Sequence, residues 1–207
     1  MNMGNRMKIL SICGSPRKGN SEAIINRLKE IFEHKGIKNE VILLREKNIQ
    51  RCNGCVEYCN KHLKCCHKDD MPEIIQKMLK ADGYVFVSPN YFAMPPGLFK
   101  DFIDKCSVLY TAYHFTKKTD LSKKRAIVIT VGTDKEFIDA CRDHISKWFL
   151  GTLRIEVVAK KSFRSRSEFK GNYNDIFENK LNANIDEELE KMANKLCDSL
   201  KIVGGAS

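Results

Sequence analysis

The sequence predicts an α/β fold: a doubly wound, five-stranded parallel sheet with helices on both faces. Three observations carry this expectation. Five short apolar runs of strand character recur along the chain, amphipathic stretches of helical period separate them, and turn residues punctuate the joints. Right-handed crossovers leave few topologies for such an alternation, and strand order 2-1-3-4-5 is the expected one. A length of 207 residues suits a single domain over residues 1–207, and a hydrophobic fraction of 43% is that of an ordinary globular protein rather than a disordered chain.

The first strand is residues 7–13, a largely apolar run that stops at Gly14-Ser15-Pro16. Asn20 and Ser21 cap the helix that follows, and Glu22 suits its positive first turn. Ala23, Ile24, Leu28, Ile31 and Phe32 recur at helical spacing until Gly36, and residues 41–44 form the second strand. A cysteine-rich insertion at about 45–70 then interrupts the pattern. Met71-Pro72-Glu73 opens a helix, with proline where its missing N–H costs little. Strand three is residues 84–88, stopped by Pro89, and a helix spans 98–110. Residues 126–131 make strand four, a helix covers about 135–150, and residues 153–158 make strand five. A polar, basic arm is expected at about 160–184, and an amphipathic helix at 186–202 closes the chain.

Lysine and arginine total 36 against 26 acidic residues, a formal charge of +10. The basic residues are spread along the chain with no aromatic-basic recognition motif, which argues against nucleic acid and for a lysine-rich surface that attracts anions. No apolar run approaches the roughly 20 residues of a membrane span, and residues 1–7 lack the apolar core of a signal peptide. A cytoplasmic protein that binds neither membrane nor nucleic acid is expected. Nine cysteines in such a chain point to metal or redox chemistry more than to disulfides. Cys13, Cys106, Cys141 and Cys197 are scattered in apolar or helical contexts and read as small core residues.

The segment Gly14-Ser15-Pro16-Arg17-Lys18-Gly19-Asn20-Ser21 lies between a strand and a helix and is an anion site by construction. The helix start presents unpaired N–H groups and partial positive charge. Gly14 and Gly19 let backbone approach a ligand closely, Ser15, Asn20 and Ser21 offer short donors, and Arg17 supplies a charged fork. The order is neither GxxxxGK[ST] nor GxGxxG, so nucleoside triphosphates and standard dinucleotide binding are disfavoured.

The run from Ser11 to Glu22 resembles the opening of NAD(P)H-dependent FMN reductases and iron-sulfur flavoproteins. Three further blocks resemble that family in the same order: Cys52-Asn-Gly-Cys55, His67-Lys-Asp-Asp-Met71, and Ser88-Pro-Asn-Tyr91 followed by Leu98-Phe-Lys-Asp-Phe-Ile-Asp104. The resemblance covers roughly residues 7–160. It implies a flavodoxin-like fold and an FMN-dependent oxidoreductase in which FMN carries the chemistry, so that no side chain is assigned a catalytic role. Ser15, Arg17, Gly19, Asn20 and Ser21 would hold the FMN phosphate. Pro89, Asn90, Tyr91 and Phe92 would line the isoalloxazine ring, and Gly132 and Thr133 would meet its pyrimidine edge, although the family often has a second glycine where this chain has Thr133. A homodimer or homotetramer is also implied.

Cys52, Cys55, Cys59, Cys65 and Cys66 fall within 15 residues. Four thiolates this close suit a [4Fe-4S] cluster, and zinc would accept the same set. Iron-sulfur flavoproteins carry a compact motif here, usually with two residues between the second and third cysteines; this chain has three. Its metal ligands are expected to be Cys52, Cys55, Cys59 and Cys65, with Cys66 the alternative fourth ligand. Free thiols or a redox-active pair are the remaining alternative for this stretch; Asp69 and Asp70 are expected to cap the next helix, and His62 and His67 are alternative ligands that read first as solvent-facing loop residues. With a cluster, a ferredoxin-like partner would exchange electrons with FMN; without one, NAD(P)H would be the donor. A zinc-stabilised binding module and a cofactor-free scaffold are the rival readings.

Overall fold

The computed structural model describes residues 7–166 and 174–205. The strands are β1 (Lys8–Cys13), β2 (Lys38–Leu43), β3 (Gly83–Pro89), β4 (Arg125–Gly132) and β5 (Glu156–Arg164). They form one sheet of order β2-β1-β3-β4-β5, with every neighbouring pair parallel, as expected. The helices are α1 (Asn20–His34), α2 (Val56–His62), α3 (Met71–Lys80), α4 (Gly97–Lys105), α5 (Ser107–His114), α6 (Lys135–Asp143) and α7 (Ile185–Gly205). No helix among the described residues is long and apolar enough to cross a membrane.

Strand alternation builds two cores. Leu10, Ile12, Tyr84, Phe86, Ala126 and Val128 face α3, α4 and α5, while Ile9, Cys13, Val85, Val87, Ile127 and Ile129 face α1 and α7. The first core is centred on Phe86, whose ring lies 5.8–6.4 Å from those of Phe99, Phe102 and Phe149. Central strands buried on both faces explain why their sequences read as continuous apolar runs. Cys13, Cys106, Cys141 and Cys197 are buried within these cores, as their contexts predict.

Several boundaries differ from the expectation. β2 starts at Lys38, because Lys38 pairs with Lys8 at the start of β1, and Leu44 enters a 3-10 turn instead. The helix expected at 98–110 is two helices that meet at Cys106. The helix expected at 135–150 passes from α6 into a π-helical segment, His144–Leu150. The fifth strand lies at Glu156–Arg164 rather than 153–158, so the first residues of the expected arm are strand. Arg154 has φ +61°, a turn conformation, which delays the start. β5 is an edge strand that needs only one fully buried residue, Phe163, so its lysines disguised it. Of the remaining arm, residues 167–173 lie outside the described residues.

One buried ion pair fastens the cysteine-rich insertion to this frame. The Asp69 and Lys105 side chains are both wholly buried and bonded to each other. Asp69 also accepts from the Gln50 amide (2.9 Å) and the Met71 amide (3.1 Å). The Met71 bond is the expected cap; the other two make Asp69 a pin between the insertion, α3 and α4. Asp70 turns the other way and accepts from the Asn48 amide at 2.8 Å. Burial pushes the Asp69 carboxyl up, but Lys105 and the two amides outweigh it and hold it below its ordinary value of 3.8. Its contribution to stability is therefore complete above that value and lost as pH falls through the lower, folded one.

Replacing Lys105 by Met strands the Asp69 charge and should cost about 3–5 kcal/mol in urea unfolding. The double replacement Lys105→Met with Asp69→Asn should recover much of that loss. A single variant as stable as the parent would remove the pair from the account.

Candidate functional site

The loops after β1, β3 and β4 and the residues just beyond β5 converge at the carboxyl edge of the sheet around a cavity of about 210 Å³. An open α/β sheet binds ligands at this edge, where neighbouring strands continue in opposite directions. Every flavin-site residue expected from the sequence lines it except Phe92.

The first wall is the loop after β1. The Gly14 amide donates to the Val87 carbonyl at 2.8 Å, and a Cβ on Gly14 would stand 2.5 Å from Cδ1 of Phe99. Only glycine lets the loop leave the sheet here with α4 packed beneath it. The Ser15 hydroxyl donates to the Arg17 carbonyl (2.7 Å) and receives the Arg17 amide (3.3 Å), which folds the loop back toward α1. Gly19 precedes α1 and, lacking a side chain, caps none of its amides, so the helix start is left for an anion. The Glu22 carboxylate, in that first turn, is partnered by Arg45 at 2.8 Å.

Asn20 does something the sequence did not suggest. Its Nδ2 donates to Asp175 Oδ1 at 2.7 Å, and its Oδ1 accepts the Ile176 amide at 3.1 Å. Both ends of the side chain are thus committed to the segment that follows β5. Ile176 is fully buried in the core shared by α1 and α7, which fixes that segment in place. Asn20 lines the cavity as part of the helix start, with its amide group turned to the chain.

The second wall follows β3. Pro89 is in register with Val131, and the Asn90 amide donates to the Val131 carbonyl at 2.7 Å. Tyr91 and Met94 exchange amide bonds of 2.8 and 3.0 Å across a turn in which Phe92 and Ala93 have φ of +49° and +63°. Left-handed backbone at two consecutive side-chain-bearing residues is unfavourable and persists only where surroundings enforce it. Phe92 at this tip is 93% exposed and outside the cavity, whereas Tyr91 lines it. Asn90 Oδ1 is buried without a hydrogen-bond partner, a cost that a ligand donor would remove.

The third wall is Gly132-Thr133. A Cβ on Gly132 would lie 2.3 Å from Cγ2 of Ile138 and 3.2 Å from Cβ of Asn90, so this position requires glycine. Asp134 then caps α6 by accepting the Glu136 and Phe137 amides at 3.0 and 3.1 Å. The sequence reading missed a fourth contribution, Ser165 and Arg166, which line the same cavity. A strand end carrying arginine at the ligand-binding edge was the available signal, and it was hidden by placing β5 too early.

The cysteine-rich insertion brings Cys55 Sγ to 3.2 Å from Cys66 Sγ and 3.9 Å from Cys59 Sγ. Cys59 sits in α2 and is buried, and burial pushes its thiol up to about 12, with Cys55, Cys65 and Cys52 pushing the same way. The hydrogen bond between Cys55 and Cys66 lowers the former thiol and raises the latter. The structure thus puts Cys66, rather than Cys65, against Cys55. Among the described residues no three His, Cys, Asp or Glu side chains stand in metal-ligand geometry. His62 is exposed and its ring lies 4.4 Å from that of Tyr58, tilted by 41°, whereas His67 is half-buried with Nδ1 unpartnered, contrary to the expectation that it faces solvent.

A family model described as NADPH-dependent FMN reductase matches residues 7–168. The chain belongs to this family. Among curated relatives, an iron-sulfur flavoprotein of Methanocaldococcus jannaschii is 34% identical over 113 residues, 54% of this chain and 58% of that protein. Another, of Archaeoglobus fulgidus, is 32% identical over 128 residues, 61% of this chain and 63% of its own length. The chain therefore spans about three-fifths of these relatives. Among solved structures, an NAD(P)H:quinone oxidoreductase from Methanothermobacter marburgensis superposes with TM-score 0.64 at 16% identity, covering 95% of this chain and 96% of the other. Oxidised flavodoxin 1 from Bacillus cereus superposes with TM-score 0.57 at 15% identity, covering 92% and 97%. These two likenesses establish the flavodoxin-like fold.

For this FMN reductase family member, Gly132→Ala should destabilise by about 1–3 kcal/mol through overpacking against Ile138. Chemical denaturation measures it, and an unchanged midpoint would contradict the close approach of α6 to the third wall.

Proposed function

We propose that this chain is an FMN-dependent oxidoreductase of the iron-sulfur flavoprotein type, which passes electrons from a reduced donor to an acceptor. The observation that carries the reading is one cavity joining an uncapped helix start and an arginine-bearing loop on one side to Asn90, Tyr91 and Gly132 on the other. A phosphate-tailed planar cofactor fits that division. The first side offers amides and a guanidinium to an anion; the second offers an aromatic ring, an unpartnered amide oxygen and close backbone.

FMN, when bound, supplies the redox chemistry, accepting a hydride or single electrons. The residues of this chain bind and orient it. Ser15, Arg17, Gly19 and Ser21, with the Asn20 backbone, would hold the phosphate; Pro89, Asn90 and Tyr91 would border the ring, with Asn90 Oδ1 placed to accept a hydrogen bond; Gly132 and Thr133 would offer backbone to the pyrimidine edge. Phe92, exposed at the turn tip, is left to touch a substrate or a second subunit.

The donor set of the insertion suits an iron-sulfur centre: five thiols in 15 residues, three of them already in contact. Cys52, Cys55 and Cys59 would be ligands, with the fourth from Cys65 or Cys66. The curated relatives' description as iron-sulfur flavoproteins supports this reading. With a cluster, a ferredoxin-like donor fits, and the formal charge of +10 would steer an acidic partner. A cluster-free reductase using NAD(P)H is the second reading, favoured by the family's description. In either form the chain would work in the cytoplasm as a homodimer or homotetramer, where reducing conditions keep its nine cysteines free of disulfides.

A UV-visible spectrum of anaerobically purified protein, with iron, sulfide and zinc analysis, decides among these. Flavin absorbance with iron and acid-labile sulfide supports the first reading, flavin alone the second. Colourless protein containing zinc and indifferent to added FMN would overturn both. Cys59→Ala should lower iron content several-fold and leave FMN binding intact; loss of FMN with intact iron would contradict the division of labour.

A further inference from the structure

We propose that Cys55 and Cys66 are a reversible disulfide pair: when no metal engages the insertion, a low-molecular-weight disulfide oxidises them to one bond, and that bond closes the thiol set to metal. The pairing stands on the geometry of the insertion; its consequence for metal rests on the iron-sulfur reading above.

The chain folds back on itself to make the pair. Gly54, with φ +71°, turns the backbone into Cys55 at the head of α2. At the far end Leu63 takes φ +51°, and its amide donates to the Cys59 carbonyl at 2.8 Å. This left-handed cap reverses the chain and returns Cys66 to the start of the helix. The Cys66 sulfur then lies 3.2 Å from that of Cys55, eleven residues earlier. An S–S bond is about 2.0 Å long, so closure moves the sulfurs together by roughly 1 Å. A Cβ on Gly54 would meet nothing within 4 Å, so the joint beside Cys55 has room to turn.

The other thiols are less able to compete. Cys59 Sγ is 3.9 Å from Cys55 Sγ, but the Cys59 amide also bonds the Cys55 carbonyl at 3.1 Å, one helical turn back. Side chains at that spacing have Cβ atoms about 5–6 Å apart, against about 3.8 Å in a disulfide. Joining them would unwind the first turn of α2. Cys59 is also buried, whereas Cys55 and Cys66 are both part-exposed. Cys52 and Cys65 are part-exposed too, but among the described residues neither has a sulfur contact like that of Cys55 with Cys66. Cys13, Cys106, Cys141 and Cys197 are buried in the two cores.

The exchange balances. A thiolate of the pair attacks one sulfur of the reagent, breaks its S–S bond and releases one thiol, which leaves a mixed disulfide on the protein. The second cysteine, as thiolate, attacks the protein sulfur of that mixed disulfide and releases the second thiol. Two electrons and two protons pass from the pair to the two reagent thiols. Of the five thiols in the insertion three are left, one short of the four that a [4Fe-4S] or zinc centre takes.

The test treats the full chain, freed of metal by chelation and fully reduced, with glutathione disulfide in the absence of oxygen. Remaining thiols are then alkylated and mapped by mass spectrometry. Wild type should lose two thiols first and yield one linkage, Cys55 to Cys66, which dithiothreitol reverses. Cys65→Ser, which removes the neighbouring thiol, should close the same bond. Cys66→Ser should stop at a glutathione adduct on Cys55. Wild type carrying adducts at both cysteines without a link, or linking Cys55 to Cys59 or Cys65, would overturn the pair. Zinc uptake without thiol reductant gives the second readout, because the same thiolates accept zinc. The oxidised form should bind several-fold less zinc than the reduced form and bind FMN equally well. Equal zinc uptake by the two forms overturns the closure to metal. Reduced protein that binds no zinc overturns the reading of the insertion as a metal site, while the mass map still decides the pair.

Discussion

Every strand of a parallel sheet ends at the same edge, and at that edge α1 begins with backbone amides that no helical carbonyl can reach. Gly19, which precedes the helix, supplies no side chain to satisfy them. The site is arranged around these amides. Gly14 is small enough for Phe99 to press α4 against the loop, and Ser15 folds the loop toward the helix. The turn after β3 and the glycine that ends β4 close the opposite wall. Without the helix start the cavity would be a polar notch; with it, the cavity presents an electropositive end suited to an anion.

The two centres of the molecule are fastened by different means. The cavity at the carboxyl edge is built from strand ends, whose positions follow from the sheet and its two apolar cores. The thiol-rich insertion has little core of its own and is tied down by the buried Asp69–Lys105 pair, by amide bonds from Gln50 and Met71, and by Thr111 bonding Asn60 at 3.2 Å. On the proposed reading, a loop fixed at its base leaves its thiols room to close on a metal centre, whereas the cavity is preformed. FMN binding and metal content should therefore be separable properties.

Much of this was legible in the sequence because buried parallel strands announce themselves as apolar runs and the loop after β1 as a glycine- and serine-rich joint. The parallel alternation, the two-faced core and the anion-binding wall followed from those signals, whereas the sheet order came from the known arrangement of such folds and the two ring-side walls from the family resemblance. What stayed hidden depended on tertiary contacts. β5 is an edge strand with Lys160 and Lys161 in it, so hydrophobicity placed it early and obscured Ser165 and Arg166. Asn20 read as a ligand donor because its partners, Asp175 and Ile176, lie about 155 residues away. Phe92 was grouped with Tyr91 by adjacency, but a left-handed turn separates their side chains. Asp69 read as a cap because Lys105, on another helix, cannot be seen from local sequence.

A crystal structure of the chain grown with FMN tests the central claim most directly. The account predicts the phosphate at the start of α1, bonded by amides of residues 19–21, with the ring between the turn at Tyr91 and Gly132. FMN seated elsewhere, for example in the apolar groove between Tyr110 and Trp148, or lying in the cavity with its phosphate away from α1, would contradict it.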